Sequence, residues 1–434
     1  MRALVTLLLI GLSGTSIQAQ TLSRLDRERG HVMLRFTKKD LIEHYYDRSF
    51  HGLNIDDRFR EAEKRIDQAG TLGEMFLAIA GSLSGLGDAH TMFVPPERTL
   101  VFRYGWEMSM VGEVCRVTSV QPGSDAESRG LRPGDIVASV DGMPASRSTI
   151  RLLKHTLSSL DPRTSLRLTI LGADGCAREL RVAASIVQRG RVVDFSGAPG
   201  ESSFMNTDFL EGASTRARIP RLRRIGDSTI VWKLPRFDCT SEEIGGIMES
   251  VMGSGSLILD LRGNPGGFLS SLSSLTGYFF ERDMTMFRME ARGRVDSVTA
   301  FHAATVYSGK VIVLVDSRSA SSSEVFARTM QIHGRGIVLG DVSGGSVMAA
   351  RYYPRSMGAE AVVSYGSTIT EASITMPDGH PLEGVGVIPD ELILPSSRDL
   401  MLGLDPVMAR ATVLAGTPLD AGRSGALFSM KRGK

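Results

Sequence analysis

The chain has 434 residues, 42% hydrophobic and 23% charged, with a formal net charge of +2. Its length suggests roughly two to four domains. The near-neutral balance argues against a nucleic-acid or membrane-surface partner, because no single charge patch dominates. The first nineteen residues read as a secretory signal: Met1-Arg2, apolar Ala3–Leu12, then small and polar residues ending at Ala19. That apolar run is too short to span a bilayer, so a periplasmic or secreted protein is expected, with no membrane span after cleavage. Residues 30–95 read as helical. Leu41, Tyr45 and Tyr46 share one face, Phe59, Ala62 and Ile66 another, and Thr71-Leu-Gly-Glu74 has capping-box spacing before a third helix. This region ends at Gly87-Asp88-Ala89-His90-Thr91.

Residues 101–188 change to short strands and turns. Val114–Val120 alternates as a strand, Ser124 can cap a short helix, and Ile136–Val140 runs into an Asp141-Gly142 hairpin turn. A helix over Ile150–Leu157 and a strand over Ser165–Leu171 follow. From about 189 to 400 strands alternate with helices: strands at Thr229–Leu234, Leu257–Leu261, Val311–Val315 and Ile337–Leu339, helices near 241–252, 268–280 and 322–333. Such alternation predicts an α/β core with largely parallel strands. After Leu400 the tail reads as helical at first, then Gly-, Ser- and basic-rich and expected to fray. Cys115, Cys176 and Cys239 allow at most one disulfide, Cys115–Cys176 being the preferred pair if both lie in one small domain; buried free thiols are the default. No CxxC and no Cys/His cluster with metal spacing occurs, so neither metal nor organic cofactor is expected.

Two segments carry chemistry. Val311–Val315 followed by Asp316-Ser-Arg-Ser-Ala-Ser321-Ser-Ser-Glu324 is a strand, a small-residue turn and a helix start. A serine there stands exposed beside the positive end of a helix dipole, as a nucleophile requires. Ser321–Ser323 acting only as helix N-caps is the competing reading. Leu257-Ile-Leu-Asp260-Leu-Arg262-Gly263-Asn264-Pro265-Gly266-Gly267 is a second strand, running into a turn whose backbone N–H groups can point outward. It lacks the Gly-Lys-Ser/Thr ending of a nucleotide loop, so an oxyanion hole is the better use. Asp260 and Arg262 fit a buried structural pair, and Glu324 a first-turn acid complementing the helix dipole.

These two segments and Gly87–Thr91, in this order with Leu131-Arg-Pro-Gly-Asp135, Asp141-Gly142 and Leu382-Glu383-Gly-Val-Gly386, resemble the tail-specific, or C-terminal-processing, serine peptidases, peptidase family S41. The resemblance covers roughly residues 30–400. It implies a multidomain protein: a signal peptide over 1–19, an N-terminal helical region over 20–100, a PDZ-like β-rich domain over 101–188, an α/β core similar to the crotonase/ClpP fold over 189–400, and a tail over 401–434. It further implies that Ser321 is the nucleophile. The N–H of Ser322, with that of Gly266 or Gly267, would form the oxyanion hole, the choice of glycine staying open. Protein or peptide substrates, engaged through their C-termini by the PDZ-like domain, would be the partners. The peptide-carboxylate loop would lie within Arg103–Met108, where Trp106 serves equally well as core.

Many members pair the serine with a lysine about two dozen residues on. The matching stretch here is Ser343-Gly-Gly-Ser346-Val347, with a serine at that position. Only eight of the 50 basic residues are lysine, and none lies between Lys310 and Lys431. A hydroxyl nucleophile needs a base. In the tricorn-like branch a histidine at the His90 position serves, with a glutamate matching Glu383. A Ser321-His90-Glu383 system is therefore expected. Ala89 departs from the serine that precedes the histidine there, and His90 also fits a residue packing the helical region onto the core. His380 fits a surface turn and His333 a helix C-terminus. An exported serine endopeptidase is the reading the resemblance implies. The alternative is a catalytically silent ligand- or peptide-binding protein on the same scaffold, with a large apolar pocket in place of the cleft.

Overall fold

The computed structural model describes residues 22–172, 175–188, 220–358 and 362–428. The expected signal segment, residues 1–19, lies outside them, as do residues 429–434. Among the described residues no helix is long and apolar enough to cross a membrane.

The protein is a multidomain mixed α/β chain. Its central layer is a six-stranded sheet in the order Arg221–Ile225, Thr229–Lys233, Ser256–Asp260, Lys310–Val315, Ile337–Gly340 and Glu391–Leu392. The first pair is antiparallel and every later pair parallel. Runs such as Val311–Val315 are apolar at every position because both faces are covered. Val231, Ile258, Ile312, Leu314 and Leu339 pack with Val407, Met408 and Ala411 of the helix Pro406–Leu414. Their alternating neighbours Trp232, Leu257, Leu259, Val313 and Val338 pack against helices Ser241–Val251, Leu269–Gly277 and Ser322–Ile332. The sequence-predicted strands and helices of this layer all form, within a residue or two at most ends. Within the described residues the tail stays helical further than expected, to Ala426. Asp420 caps Ala421–Ala426 by accepting the Arg423 N–H at 2.8 Å, and Arg221 reaches back to the Phe428 carbonyl at 3.0 Å.

A second, five-stranded sheet contains Met92–Val94, Met284–Ala291, Arg294–Ala300, Met348–Met357 and Val363–Thr375. All its pairings are antiparallel, so the chain between 189 and 400 does not simply alternate. Helices Arg24–His44, Ile55–Gln68 and Leu72–Ser82 pack their apolar faces over Phe93, Tyr365 and Ile369 of this sheet. The third helix is capped in a variant way. Thr71 accepts the Glu74 N–H at 3.1 Å, but the Glu74 carboxylate takes the N–H of Gly70 rather than of Thr71.

Residues 106–183 form a β-rich unit around its own core of Met110, Cys115, Val117, Leu131, Val140, Leu153, Leu166, Leu168, Ile170 and Val182. The short ribbon of Leu100–Arg103 with Ser185–Gln188 marks where the chain enters and leaves it. Asp141 (φ +49°) and Gly142 (φ +84°) make the expected hairpin turn. Trp106 packs against this core. None of the three cysteines forms a disulfide among the described residues; Cys115 and Cys239 are buried and Cys176 is exposed. The Cys115–Cys176 pairing therefore does not form: one thiol is packed inside the unit and the other lies on its surface.

Candidate active site

Two turns leave the carboxyl ends of adjacent parallel strands and are stitched together. Asp316 accepts the Gly263 N–H at 2.8 Å, Ala320 donates to the Asn264 carbonyl at 3.0 Å, and Ser319 and Ser323 donate to the Leu261 and Asn264 carbonyls at 2.9 and 3.0 Å. Such a crevice beyond the strand ends is where open α/β sheets place ligands. Ser321 tops the second turn with φ +55° and ψ −119°, a conformation few non-glycine residues adopt. It heads the helix Ser322–Ile332 and is 8% exposed.

The Gly-rich turn lies against it. A Cβ at Gly266 (φ +102°) would stand 2.7 Å from the Ser321 Cβ, and one at Gly267 (φ +150°) 2.1 Å from the Phe237 carbonyl oxygen. Only glycine fits either place. The two differ in their donors. Gly266 gives its N–H to Asn264 Oδ1 at 2.8 Å. Among the described residues the N–H groups of Gly267 and Ser322 have no acceptor.

Glu324 was read from sequence as a dipole-complementing acid, and its first-turn place is as expected. Its carboxylate does more. Fully buried, it accepts the N–H of Ser321 (2.9 Å), Gly345 (2.8 Å) and Ser346 (2.9 Å) and the hydroxyl of Ser343 (2.5 Å). Burial raises its pKa, and those four bonds oppose the rise. The carbonyl of Ser346 in turn accepts the Ser321 N–H at 2.9 Å. The segment 343–346 is thus pinned beside the serine.

His90 is 5% exposed, and its Nε2 faces the Ser346 hydroxyl at 3.4 Å. Its loop is held by Asp88, whose Oδ1 accepts the N–H of His90 and Thr91 and the hydroxyl of Thr370 at 2.9, 2.6 and 2.7 Å. Burial first, then the charge of Arg151, pushes the imidazole down to about 3, with Asp88 pulling the other way. His90 is therefore neutral, and forming the imidazolium here needs help from nearby carboxylates. Its Nδ1 and the second oxygen of Asp88 are both buried without a partner among the described residues.

Glu383 accepts the Ala89 N–H at 2.7 Å and the Val347 N–H at 2.6 Å. It thereby ties the residue before His90 to the residue after Ser346. Burial raises it to about 7, against those two bonds and the Arg151 charge. Ser321, His90 and Glu383 are thus gathered around Ser346, while no direct hydrogen bond joins the Ser321 hydroxyl to His90 or His90 to Glu383 among the described residues. Asp260 and Arg262 form the expected buried pair (2.9 Å), extended to Asp405. His380 is exposed beside Asp378, and His333 caps the helix end.

Arg151 was not foreseen. It comes from the β-rich unit and donates to the Ala89 carbonyl at 2.6 Å. The same unit contacts the Ser321 turn where Ser109 meets the Ser317 hydroxyl at 3.0 Å, and it also reaches Asp341 through Arg147 at 2.9 Å. A cleft of about 690 Å³ elsewhere is lined by Tyr46, Asp47, Arg48, His51, Glu290 and Arg292, charged and polar rather than apolar.

Residues 231–393 match the family described as peptidase family S41. The chain carries an S41 peptidase domain. Similar proteins match over more of the chain than this domain. A probable CtpA-like serine protease of Staphylococcus haemolyticus is 25% identical over 75% of this chain and 60% of its own length. The carboxyl-terminal-processing protease of Synechocystis is 25% identical over 74% of this chain and 71% of its own. Carboxyl-terminal-processing peptidase 2 of Arabidopsis thaliana is 23% identical over 80% and 65%. Among solved structures, mature CPAF complexed with lactacystin shares the fold with a TM-score of 0.61 at 14% identity, covering 87% of this chain and 96% of that one. The photosystem II D1 C-terminal processing protease does so at 0.52 and 20%, covering 92% and 99%. The S41 domain contains Ser321, Glu383 and the Gly-rich turn; His90 and Arg151 reach it from outside the match.

Proposed function

We propose that the protein is an exported serine endopeptidase that cleaves proteins or peptides through an acyl-enzyme. In this reading Ser321 is the nucleophile and His90 the base, and Glu383 is the carboxylate that positions them and stabilises the imidazolium. The N–H groups of Gly267 and Ser322 form the oxyanion hole, since both are unengaged while that of Gly266 is not. What carries the reading is Ser321 itself: a strained serine at the head of a helix, beside two free N–H donors and a buried histidine-bearing loop. A silent binding protein has no need to hold a serine at φ +55°. The relatives called carboxyl-terminal-processing proteases support substrates engaged near their C-termini. The β-rich unit, read as PDZ-like, would take an extended peptide as an added strand.

The test is fluorophosphonate labelling of the purified protein. Labelling abolished by Ser321→Ala and slowed by at least about 100-fold in His90→Ala supports the reading. A folded wild-type protein that takes no label overturns it and favours ligand binding on the same scaffold.

A further inference from the structure

We infer that Ser346 is a proton relay between Ser321 and His90, an inference that rests on the nucleophile and base assignments just proposed. The group facing His90 Nε2 is not the Ser321 hydroxyl but that of Ser346, at 3.4 Å. Catalytic contacts of this length are common before substrate closes a site. Ser346 is 2% exposed, and among the described residues its hydroxyl has no partner but His90, so the relay requires the Ser321 and Ser346 hydroxyls to come into contact as substrate binds. Its main chain is fixed relative to the nucleophile at both ends. The Ser346 N–H goes to the Glu324 carboxylate and its carbonyl receives the Ser321 N–H, each at 2.9 Å. The fixation continues towards the base. Glu383 joins Val347, the next residue, to Ala89, the residue before His90. Two carboxylates therefore hold Ser346 in register with Ser321 on one side and His90 on the other. A serine at the lysine position is thus no mere gap, because it hands the base function on to a histidine.

The steps balance. As Ser321 Oγ bonds to the substrate carbonyl carbon, its proton moves to Ser346 Oγ while the Ser346 proton moves to His90 Nε2. The carbonyl π pair collects on oxygen. When the tetrahedral adduct collapses, the C–N bond breaks and the leaving nitrogen takes a proton back through Ser346 from the imidazolium. Water then repeats the sequence in the second half-reaction to release the acid and restore Ser321. His90 must carry its other proton on Nδ1 throughout, a tautomer assigned here from its role.

The experiment measures fluorophosphonate labelling rates of wild type, Ser346→Ala, Ser346→Thr and Ser346→Val, each with a thermal melt and with rates in H2O/D2O mixtures. Threonine and valine share a shape and differ in the hydroxyl, so their comparison holds even if alanine loosens the site. The relay predicts labelling about 100-fold slower in Ser346→Ala and Ser346→Val, substantially recovered in Ser346→Thr. It also predicts a curved isotope dependence, from two protons in flight, in wild type and Ser346→Thr only. Valine labelling as fast as threonine, or a linear dependence in wild type, overturns the relay. Labelling that survives Ser321→Ala overturns instead the nucleophile assignment beneath it, so the two failures are told apart.

Discussion

Glu324 and Ser321 are bonded twice: the carboxylate accepts the Ser321 N–H at 2.9 Å, and the Ser321 carbonyl accepts the Glu324 N–H at 2.8 Å. This reciprocal pair holds the serine in its left-handed conformation, and the same carboxylate gathers three more donors from 343–346. Glu324→Gln replaces one acceptor oxygen with an NH2 group that faces two buried donors. Leaving such donors unsatisfied costs roughly 3 kcal/mol. Differential scanning calorimetry should show a midpoint lower by about 3 °C for a chain of this length. A loss of 1 °C or less would mean that the loop does not depend on this carboxylate.

Glu383 makes the chemistry pH-dependent. The ionised carboxylate accepts the Ala89 and Val347 N–H groups more strongly than the protonated acid does, and it alone carries the charge that stabilises an imidazolium. Burial raises it from its ordinary 4.5 to about 7, so labelling of Ser321 should climb as pH rises through about 7. Glu383→Gln should flatten that limb and label slowly throughout. The sign for stability is opposite. A carboxyl whose folded pKa is raised favours the fold below its unfolded value, and that contribution is lost as pH rises from 4.5 to about 7. A limb that survives in Glu383→Gln would assign it to another group.

Much of the central layer was legible because its strands are buried on both faces. Val311–Val315 and Leu257–Leu261 can only be apolar runs bounded by turns. The antiparallel sheet was not. Val363–Thr375 mixes buried Tyr365, Ile369 and Ala372 with Ser, Thr and Glu, and its partner Met92–Val94 lies over 270 residues away. No local pattern reports that pairing. At the site, Ser321, His90, Glu383 and the glycines sit in recognisable motifs. The wider role of Glu324 had a signal in its spacing, since Ser321-x-x-Glu324 is the capping-box interval. Arg151 had none: it lies in a plain helix and reaches the site only through the way the β-rich unit docks.

Arg151 sets the electrostatics of that site. Its guanidinium opposes the His90 imidazolium and favours the Glu383 carboxylate. Arg151→Met should therefore raise both groups, each by about one unit for removal of a close charge. His90 should remain below its ordinary 6.5, because burial is the larger cause. Histidine side-chain NMR titration reads the first shift, and the labelling limb near 7 reads the second by moving to higher pH. Unchanged titrations would mean that the charge is screened from both.

The choice between the two glycines can be decided by their donors. Gly266 already spends its N–H on Asn264, so a substitution there acts through crowding. An alanine Cβ would meet the Ser321 Cβ at 2.7 Å and push the nucleophile itself. Gly267 holds a free N–H, and an alanine Cβ there would meet the Phe237 oxygen at 2.1 Å, turning that donor away from the developing oxyanion. Losing one oxyanion donor lowers the rate by roughly 100- to 1,000-fold. Gly267→Ala should therefore hydrolyse peptides that much more slowly, with the loss in kcat rather than KM, since the donor acts on charge that develops only in the transition state. If Gly267→Ala raises KM alone, the oxyanion hole is made elsewhere.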